Sequence, residues 1–385
     1  MVHPVYADMP PTIFDQMSGL AREHDAINLG QGFPDAPGPP ALLQAAADAV
    51  LHGSNQYPPS AGLMTLREAA AAHYNRSQGL DLTPEQVVVT SGATEALAAA
   101  LLALVGPGDE VAMFQPLYDA YMPLVRRAGG VARLATLKPP LWRITPQVLD
   151  EAFGPATRLV ILNNPMNPTG RVFDDAELGL LAAWCVRHDA IAICDEVWEA
   201  VVPPPGRFKP LIAFPGMAER TIKIGSAGKM FGVTGWKVGL MAASPDLART
   251  MARAHQFLTF TTPPNLQTAV AFGLTKMPEW FDEMPVRMGR SRDRLAAGLT
   301  EAGFAVLASQ ATYFLTVDLT ASGIDLDDRA FALRAVREHG VASIPVSALY
   351  AEGPATNILR LCFAKADDTL DLAVERLAAA RKALS

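Results

Sequence analysis

Short apolar runs, rich in β-branched residues, alternate along most of this chain with longer stretches of helical composition. EQVVVT (85–90) reads as a strand, GATEALAAALLALV (92–105) as a helix stopped by Gly106, Pro107 and Gly108, and EVAMF (110–114) as the next strand. VARLATL (131–137), RLVILNN (158–164), AIAICD (190–195), TIKIGS (221–226) and WKVGLMAA (236–243) extend the series, with AELGLLAAWCVRH (176–188) among the intervening helices. Such apolar runs suit strands buried on both faces, and their alternation with helices predicts a doubly wound α/β domain with a mainly parallel sheet. After about Met277 the pattern changes. A long helical stretch reaches Glu301, followed by FAVLA, TYFLTVDL, a helix near 327–339, VASI, ILRLCFA and a final helix. This predicts a small α+β domain that the N-terminal segment joins, with 45–280 as the large domain and 1–44 plus 281–385 as the small one.

Composition then removes whole classes of function. The 385 residues are 50% hydrophobic, enough for a large core. They carry 32 Lys and Arg against 39 Asp and Glu, a net charge of −7, so the basic footprint of a nucleic-acid binder is missing. Cys185, Cys194 and Cys362 form no C-x-x-C pair, which argues against a disulfide framework or a metal site and for a reducing, cytoplasmic setting. The start, MVHPVYADMPPTIFDQM, lacks the apolar core of a signal peptide, and the apolar stretch Ala96 to Val105 is too short to span a bilayer. No membrane partner is expected.

Four segments carry candidate chemistry. Lys229 lies in SAGKMFGVTGWK (226–237), just after a strand. Among glycines its amine can approach a ligand, and burial would lower its pKa to give a nucleophile suited to a Schiff base; a surface lysine in a loop is the plainer alternative. Asp195, in DEVWE (195–199), ends a strand, where open parallel sheets bind ligands, although isolated aspartates there often cap helices. NNPMNPTG (163–170) also ends a strand, and its two Asn-Pro steps hold an amide side chain in extended or turn backbone. SGAT (91–94) opens a helix with small residues, leaving backbone N–H groups free to cradle a phosphate. Arg360 adds a charge inside the apolar run ILRLCF (358–363), where it must find a partner; a structural salt bridge is one solution.

The order and spacing of these segments, 28 residues from Asn167 to Asp195 and 34 from Asp195 to Lys229, resemble those of pyridoxal-phosphate aminotransferases of fold type I, in the class I/II superfamily. The resemblance runs from INLGQGFPD (27–35) to ILRLCFAK (358–365). INLGQGFPD and the segments around Tyr57 and Tyr118 are most similar to the methionine, glutamine and kynurenine aminotransferase group, and bacterial N-succinyldiaminopimelate aminotransferases are similar too. The resemblance implies a pyridoxal 5'-phosphate cofactor condensed with Lys229, which also moves the proton in transamination. It implies that Asp195 pairs with the pyridinium nitrogen and Asn167 bonds the ring 3'-oxygen. Ser226 and Lys237, with Gly92, Ala93 and Thr94, would hold the phosphate, Tyr118 would stack on the ring, and Arg360 would clamp the substrate α-carboxylate. Tyr57 would reach the phosphate of a neighbouring subunit, which makes the active unit a homodimer. Lys237 stands where many relatives have arginine, so it offers a point charge and not a fork. Trp198 stands where the family usually has tyrosine. Its indole can donate but not accept, so Asn167 is expected to carry more of the 3'-oxygen contact.

The same pattern places Phe14, Gly32 and Phe260 at the substrate side chain, Phe260 from the partner subunit. An apolar, aromatic pocket implies a neutral or aromatic L-amino acid of the methionine, glutamine, phenylalanine or kynurenine type, exchanging its amino group with a 2-oxo acid. A dicarboxylate would want a second arginine, for which Arg22, Arg67, Arg171 and Arg253 are available. The alternatives are N-succinyldiaminopimelate transamination and β-elimination from cysteine S-conjugates on the same machinery. A regulatory cofactor-binding module would need a DNA-binding partner domain, which this acidic chain does not suggest.

Overall fold

The computed structural model describes residues 2–7 and 9–384. Its centre is a seven-stranded sheet of β1 (Val87–Thr90), β2 (Glu110–Gln115), β3 (Val131–Thr136), β4 (Thr157–Asn163), β5 (Ile191–Asp195), β6 (Thr221–Ser226) and β7 (Gly239–Ala242). Their spatial order is β1-β7-β6-β5-β4-β2-β3. Neighbours from β6 to β3 run parallel, and β7 is antiparallel to both β6 and β1. The α/β, mainly parallel architecture expected from the sequence is present. The central strands are mainly apolar because helices cover both faces. Val88, Ile193, Ile222 and Met241 pack beneath helices Ala93–Leu104 and Pro245–Gln256. On the other face Val160, Leu162 and Cys194 meet helix Asp175–Arg187, while Val87, Val89 and Leu240 meet helices Pro40–His52, Met64–Gln78 and Pro264–Lys276.

A second, antiparallel sheet is built from β8 (Ala305–Leu307), β9 (Phe314–Asp318), β10 (Ile344–Pro345) and β11 (Ile358–Cys362), in the order β10-β11-β9-β8. Helix Pro278–Glu301 leads into it, so residue 280 falls in that helix's first turn. The N-terminal segment is tied to this half by a two-residue parallel pairing of Ile27–Asn28 with Val341–Ala342, and Met17 and Leu29 share a core with Leu361, Phe331 and Leu377. Among the described residues no helix is long and apolar enough to cross a membrane.

Several expected strands are shorter than their apolar runs, and two of them show why. WKVGLMAA becomes a strand only at Gly239, because Thr234–Trp236 forms a 3-10 turn and Lys237 adopts φ 53°, which brings its side chain to Gly92. VASI divides at Ser343, since Val341–Ala342 and Ile344–Pro345 bond to different partners.

Register decides what the large sheet presents. Asn163 pairs with Asp195 and Asp195 with Ile224, so β4 and β5 end level and β6 two residues further on, with Asn163, Asp195 and Ser226 at one edge of the sheet. Behind that edge lies a buried ion trio. Lys223 of β6 is fully buried and donates to Glu196 Oε2 at 2.6 Å and to Glu199. Tyr74 Oη donates to Glu199 Oε1 at 3.0 Å and Gln78 Nε2 to Glu199 Oε2 at 2.6 Å. Burial opposes the Lys223 charge, but the two carboxylates outweigh it and raise the amine above its ordinary value. Lys223→Met would leave two buried carboxylates without their cation, which typically costs about 3–5 kcal/mol. We expect a clear fall in the urea midpoint; an unchanged midpoint would show that the trio does not hold the Asp195–Glu199 turn.

Candidate active site

The carboxyl ends of β4, β5 and β6, the turn after β1, the N-terminal segment and Arg360 of β11 enclose one cleft of about 450 Å³. Asp195, at the end of β5, is 4% exposed. Tyr121 Oη donates to its Oδ2 at 2.5 Å, while Oδ1 is buried without a partner. Burial pushes this carboxyl up to about 6, and the Tyr121 hydrogen bond keeps it from rising further. A buried acceptor with one open oxygen on a cleft wall suits a cationic N–H donor.

Lys229 sits in the single helical turn Ala227–Met230 that follows β6. Its Nζ donates to Gly32 O at 2.9 Å and lies 4.6 Å from the centre of the Trp198 ring. Burial pulls the amine down to about 8, and the charges of Arg360 and Lys237 act in the same direction. A fraction is therefore uncharged near neutral pH, and this is the form that attacks a carbonyl. Gly32 is needed at that contact: a Cβ there would lie 2.6 Å from Phe314 Cζ.

The Ser91–Thr94 turn forms a cradle. Gly92, at φ 80°, starts helix Ala93–Leu104 with no side-chain cap, so the first N–H groups of the helix stay available. A Cβ on Gly92 would meet Lys237 Nζ at 3.1 Å, which places that ammonium over the turn. Ser226 and Thr94 line the same end of the cleft. Glu95 Oε2 accepts from the Ser91 N–H at 3.0 Å and lies 2.9 Å from His255 Nδ1, which fixes the loop. These groups fit a phosphate.

Arg360 is 1% exposed between Phe314, 3.9 Å from its ring centre, and Phe14, at 5.1 Å. Its Nη1 donates to Asn167 Oδ1 at 2.8 Å and its Nη2 to Gly30 O at 2.5 Å, and Nε has no partner. No ion pair among the described residues involves Arg360, so the salt-bridge alternative is not realised there. Burial lowers the guanidinium to about 10, still a cation at neutral pH. Asn167 is held in turn, since its N–H donates to Asn163 Oδ1 at 2.7 Å and Asn163 Nδ2 donates to Asp195 O at 2.9 Å.

An amine, a carboxylate with one open oxygen, an anion cradle and a buried guanidinium thus face one space. A family model described as aminotransferase class I and II matches residues 24–377. The chain belongs to this family. A probable N-succinyldiaminopimelate aminotransferase DapC of Mycobacterium tuberculosis is 45% identical over 378 residues, covering 95% of each chain. The methionine aminotransferase of Escherichia coli is 41% identical over 367 residues, again with 95% of each chain covered. A solved structure of N-succinyldiaminopimelate aminotransferase from M. tuberculosis superimposes with a TM-score of 0.95 at 43% identity, covering 99% of this chain and 100% of the other.

In this aminotransferase most of the expected site residues meet: Phe14, Gly32, Gly92, Ala93, Thr94, Tyr118, Asn167, Asp195, Trp198, Ser226, Lys229, Lys237 and Arg360 all line the cleft. Trp198 is 3% exposed and packs edge-on against Tyr313 at 4.9 Å and Phe314 at 5.4 Å. Tyr57 and Phe260 do not line it. Tyr57 is 83% exposed, and its ring meets Phe260 edge-on at 5.2 Å. None of the four spare arginines reaches the cleft; Arg67 Nε donates to Val87 O, and Arg171 pairs with Glu177 at 2.5 Å. The sequence reading missed Tyr121, Phe314 and Gly30. Tyr121 had a signal, since it stands three residues after Tyr118 at the start of helix Tyr121–Ala128. The Gly30 carbonyl had none.

The Asp195 pKa has a consequence for stability. Its folded value of about 6 lies above that of an ordinary aspartate, so its contribution is intact below about pH 4 and is lost as pH rises through about 6. Asp195→Asn should therefore stabilise the ligand-free protein at pH 8, by about 1–3 kcal/mol, with little effect at pH 4. Thermal unfolding at the two pH values checks this, and equal shifts at both would contradict it.

Proposed function

We propose that this aminotransferase uses pyridoxal 5'-phosphate to move the amino group of a neutral or aromatic L-amino acid, of the methionine, glutamine, phenylalanine or kynurenine type, to a 2-oxo acid. The observation that carries the reading is the meeting of Lys229, Asp195 and Arg360 in one cleft with the uncapped turn at Gly92. The residues fit the cofactor. Gly92, Ala93, Thr94, Ser226 and Lys237 would hold its phosphate, Asp195 Oδ1 its ring N–H, Asn167 its 3'-oxygen and Tyr118 its face. When bound, the cofactor supplies an electron sink for the substrate Cα.

The chain's own groups do the rest. Arg360 docks the α-carboxylate through its forked donors, drawing on an Nε that has no partner. This fixes the Cα near Lys229, whose lowered pKa lets Nζ accept a proton and return it. Asp195 would present its negative charge to the ring N–H of the bound cofactor. Trp198, Phe14 and Phe314 keep water from the reacting atoms.

The M. tuberculosis relative's name favours N-succinyldiaminopimelate as a second reading. The aromatic lining and the absence of a spare arginine among the described lining residues favour the neutral one. Lyase action on cysteine conjugates would release pyruvate and ammonia in place of an exchanged amino group. We also propose a cytoplasmic homodimer in which Tyr57 and Phe260, exposed beside Phe257, serve the partner's cleft. Sedimentation should give twice the 41.0 kDa chain mass.

The deciding experiment follows the visible spectrum of the cofactor-loaded protein mixed with single amino acids. Methionine, glutamine, phenylalanine or kynurenine should convert it to the amine form of the cofactor faster than N-succinyldiaminopimelate does, and the reverse ranking would install the second reading. Lys229→Ala should abolish conversion. Arg360→Lys should raise KM for the amino donor about 10²-fold, as expected when a bidentate clamp becomes a point charge.

A further inference from the structure

The charges around the cleft fall into two sets. The three cations are engaged: Lys229 on Gly32 O, Lys237 over Gly92, and Arg360 on Asn167 and Gly30. Apart from Asp195, the remaining charged residues that line it are Asp15 and Asp119, and no further cation joins them among the described residues. Asp15 is exposed in the first turn of helix Ile13–Glu23. Thr12 Oγ1 donates to its Oδ2 at 2.9 Å and accepts from its N–H at 3.1 Å, which fixes the carboxylate beside Phe14. Asp119 is half-buried and follows Tyr118. Burial, then the charge of Asp15, pushes the Asp119 carboxyl up; the backbone N–H groups of Asp119 and Ala120 pull it partly back, and the charge of Arg360 adds a smaller pull. An amino acid held by its carboxylate at Arg360 with its amine near Lys229 shares the cleft with these two aspartates.

We infer that Asp15 and Asp119 form an acidic outer wall that selects amino acids whose side chains end in an N–H donor, neutral or cationic, and turns away those that end in a carboxylate. This rests on the aminotransferase reading above and narrows its substrate. In a partly dehydrated cleft a like charge is screened less than in bulk water, whereas an amide or amine gains a charge-assisted hydrogen bond. The 2-oxo acid acceptor meets the same wall, so a neutral acceptor should outrun a dicarboxylic one.

Glutamine and glutamate make the test, since they differ only in the terminal amide and carboxylate. Single-turnover kcat/KM of the holoenzyme should favour glutamine by tenfold or more. Asp15→Asn, Asp119→Asn and the double variant should each shrink that ratio, the double by about tenfold. Should a variant fold poorly, the unmodified enzyme gives a second reading: about 0.5 M NaCl, which shortens charge screening to a few ångströms, should also shrink the ratio. A ratio that neither the variants nor salt moves, while methionine still converts, overturns the acidic wall alone. Failure of methionine and every other neutral donor to convert would remove the aminotransferase reading and the wall with it.

Discussion

Holding a carboxylate in a nearly dry place with one oxygen left open is the constraint on which this structure turns. Water would satisfy Asp195 and also quench it. The fold excludes water by setting Asp195 at the end of a strand flanked by parallel neighbours on both sides, so that the carboxylate emerges from a sheet covered on both faces. It then meets part of the electrostatic cost with Tyr121 on one oxygen only. The turn after Asp195 cannot relax toward solvent, because Glu196 and Glu199 are bound to Lys223 on the neighbouring strand. Site and scaffold are thus two ends of one five-residue stretch.

Arg360 meets the same problem with the opposite charge. Two phenylalanine rings sandwich it, and neutral oxygens occupy its forked end. Those contacts orient the guanidinium without neutralising it, so it stays attractive to an anion. A salt bridge would have satisfied the charge and lost the function.

The sequence made the large sheet legible because strands buried on both faces leave continuous apolar runs: AIAICD and TIKIGS end where β5 and β6 end, and RLVILNN ends one residue past β4. The chemistry at those ends was legible for the same reason, since a polar residue closing an apolar run stands out. Lys237 was placed in the cradle by resemblance, but its left-handed backbone was hidden within a run that looks like strand. Contacts through main-chain carbonyls, Gly30 O to Arg360 and Gly32 O to Lys229, leave no mark in side-chain pattern. Where the spare arginines point depends on packing between distant segments, as Arg67 reaching Val87 O illustrates. Tyr57 and Phe260 were assigned to a partner's cleft by resemblance alone, and the structure leaves them outside their own chain's cleft.

Gly92, Asn167, Asp195, Lys229 and Lys237 all precede Arg360, which lies on the last strand. The residues proposed to hold a cofactor thus fall within positions 92–237, and the residue proposed to dock the substrate's carboxylate comes from the C-terminal sheet. Loosening the C-terminal sheet would therefore withdraw Arg360 from the cleft while leaving those five residues anchored to the large sheet and its helices.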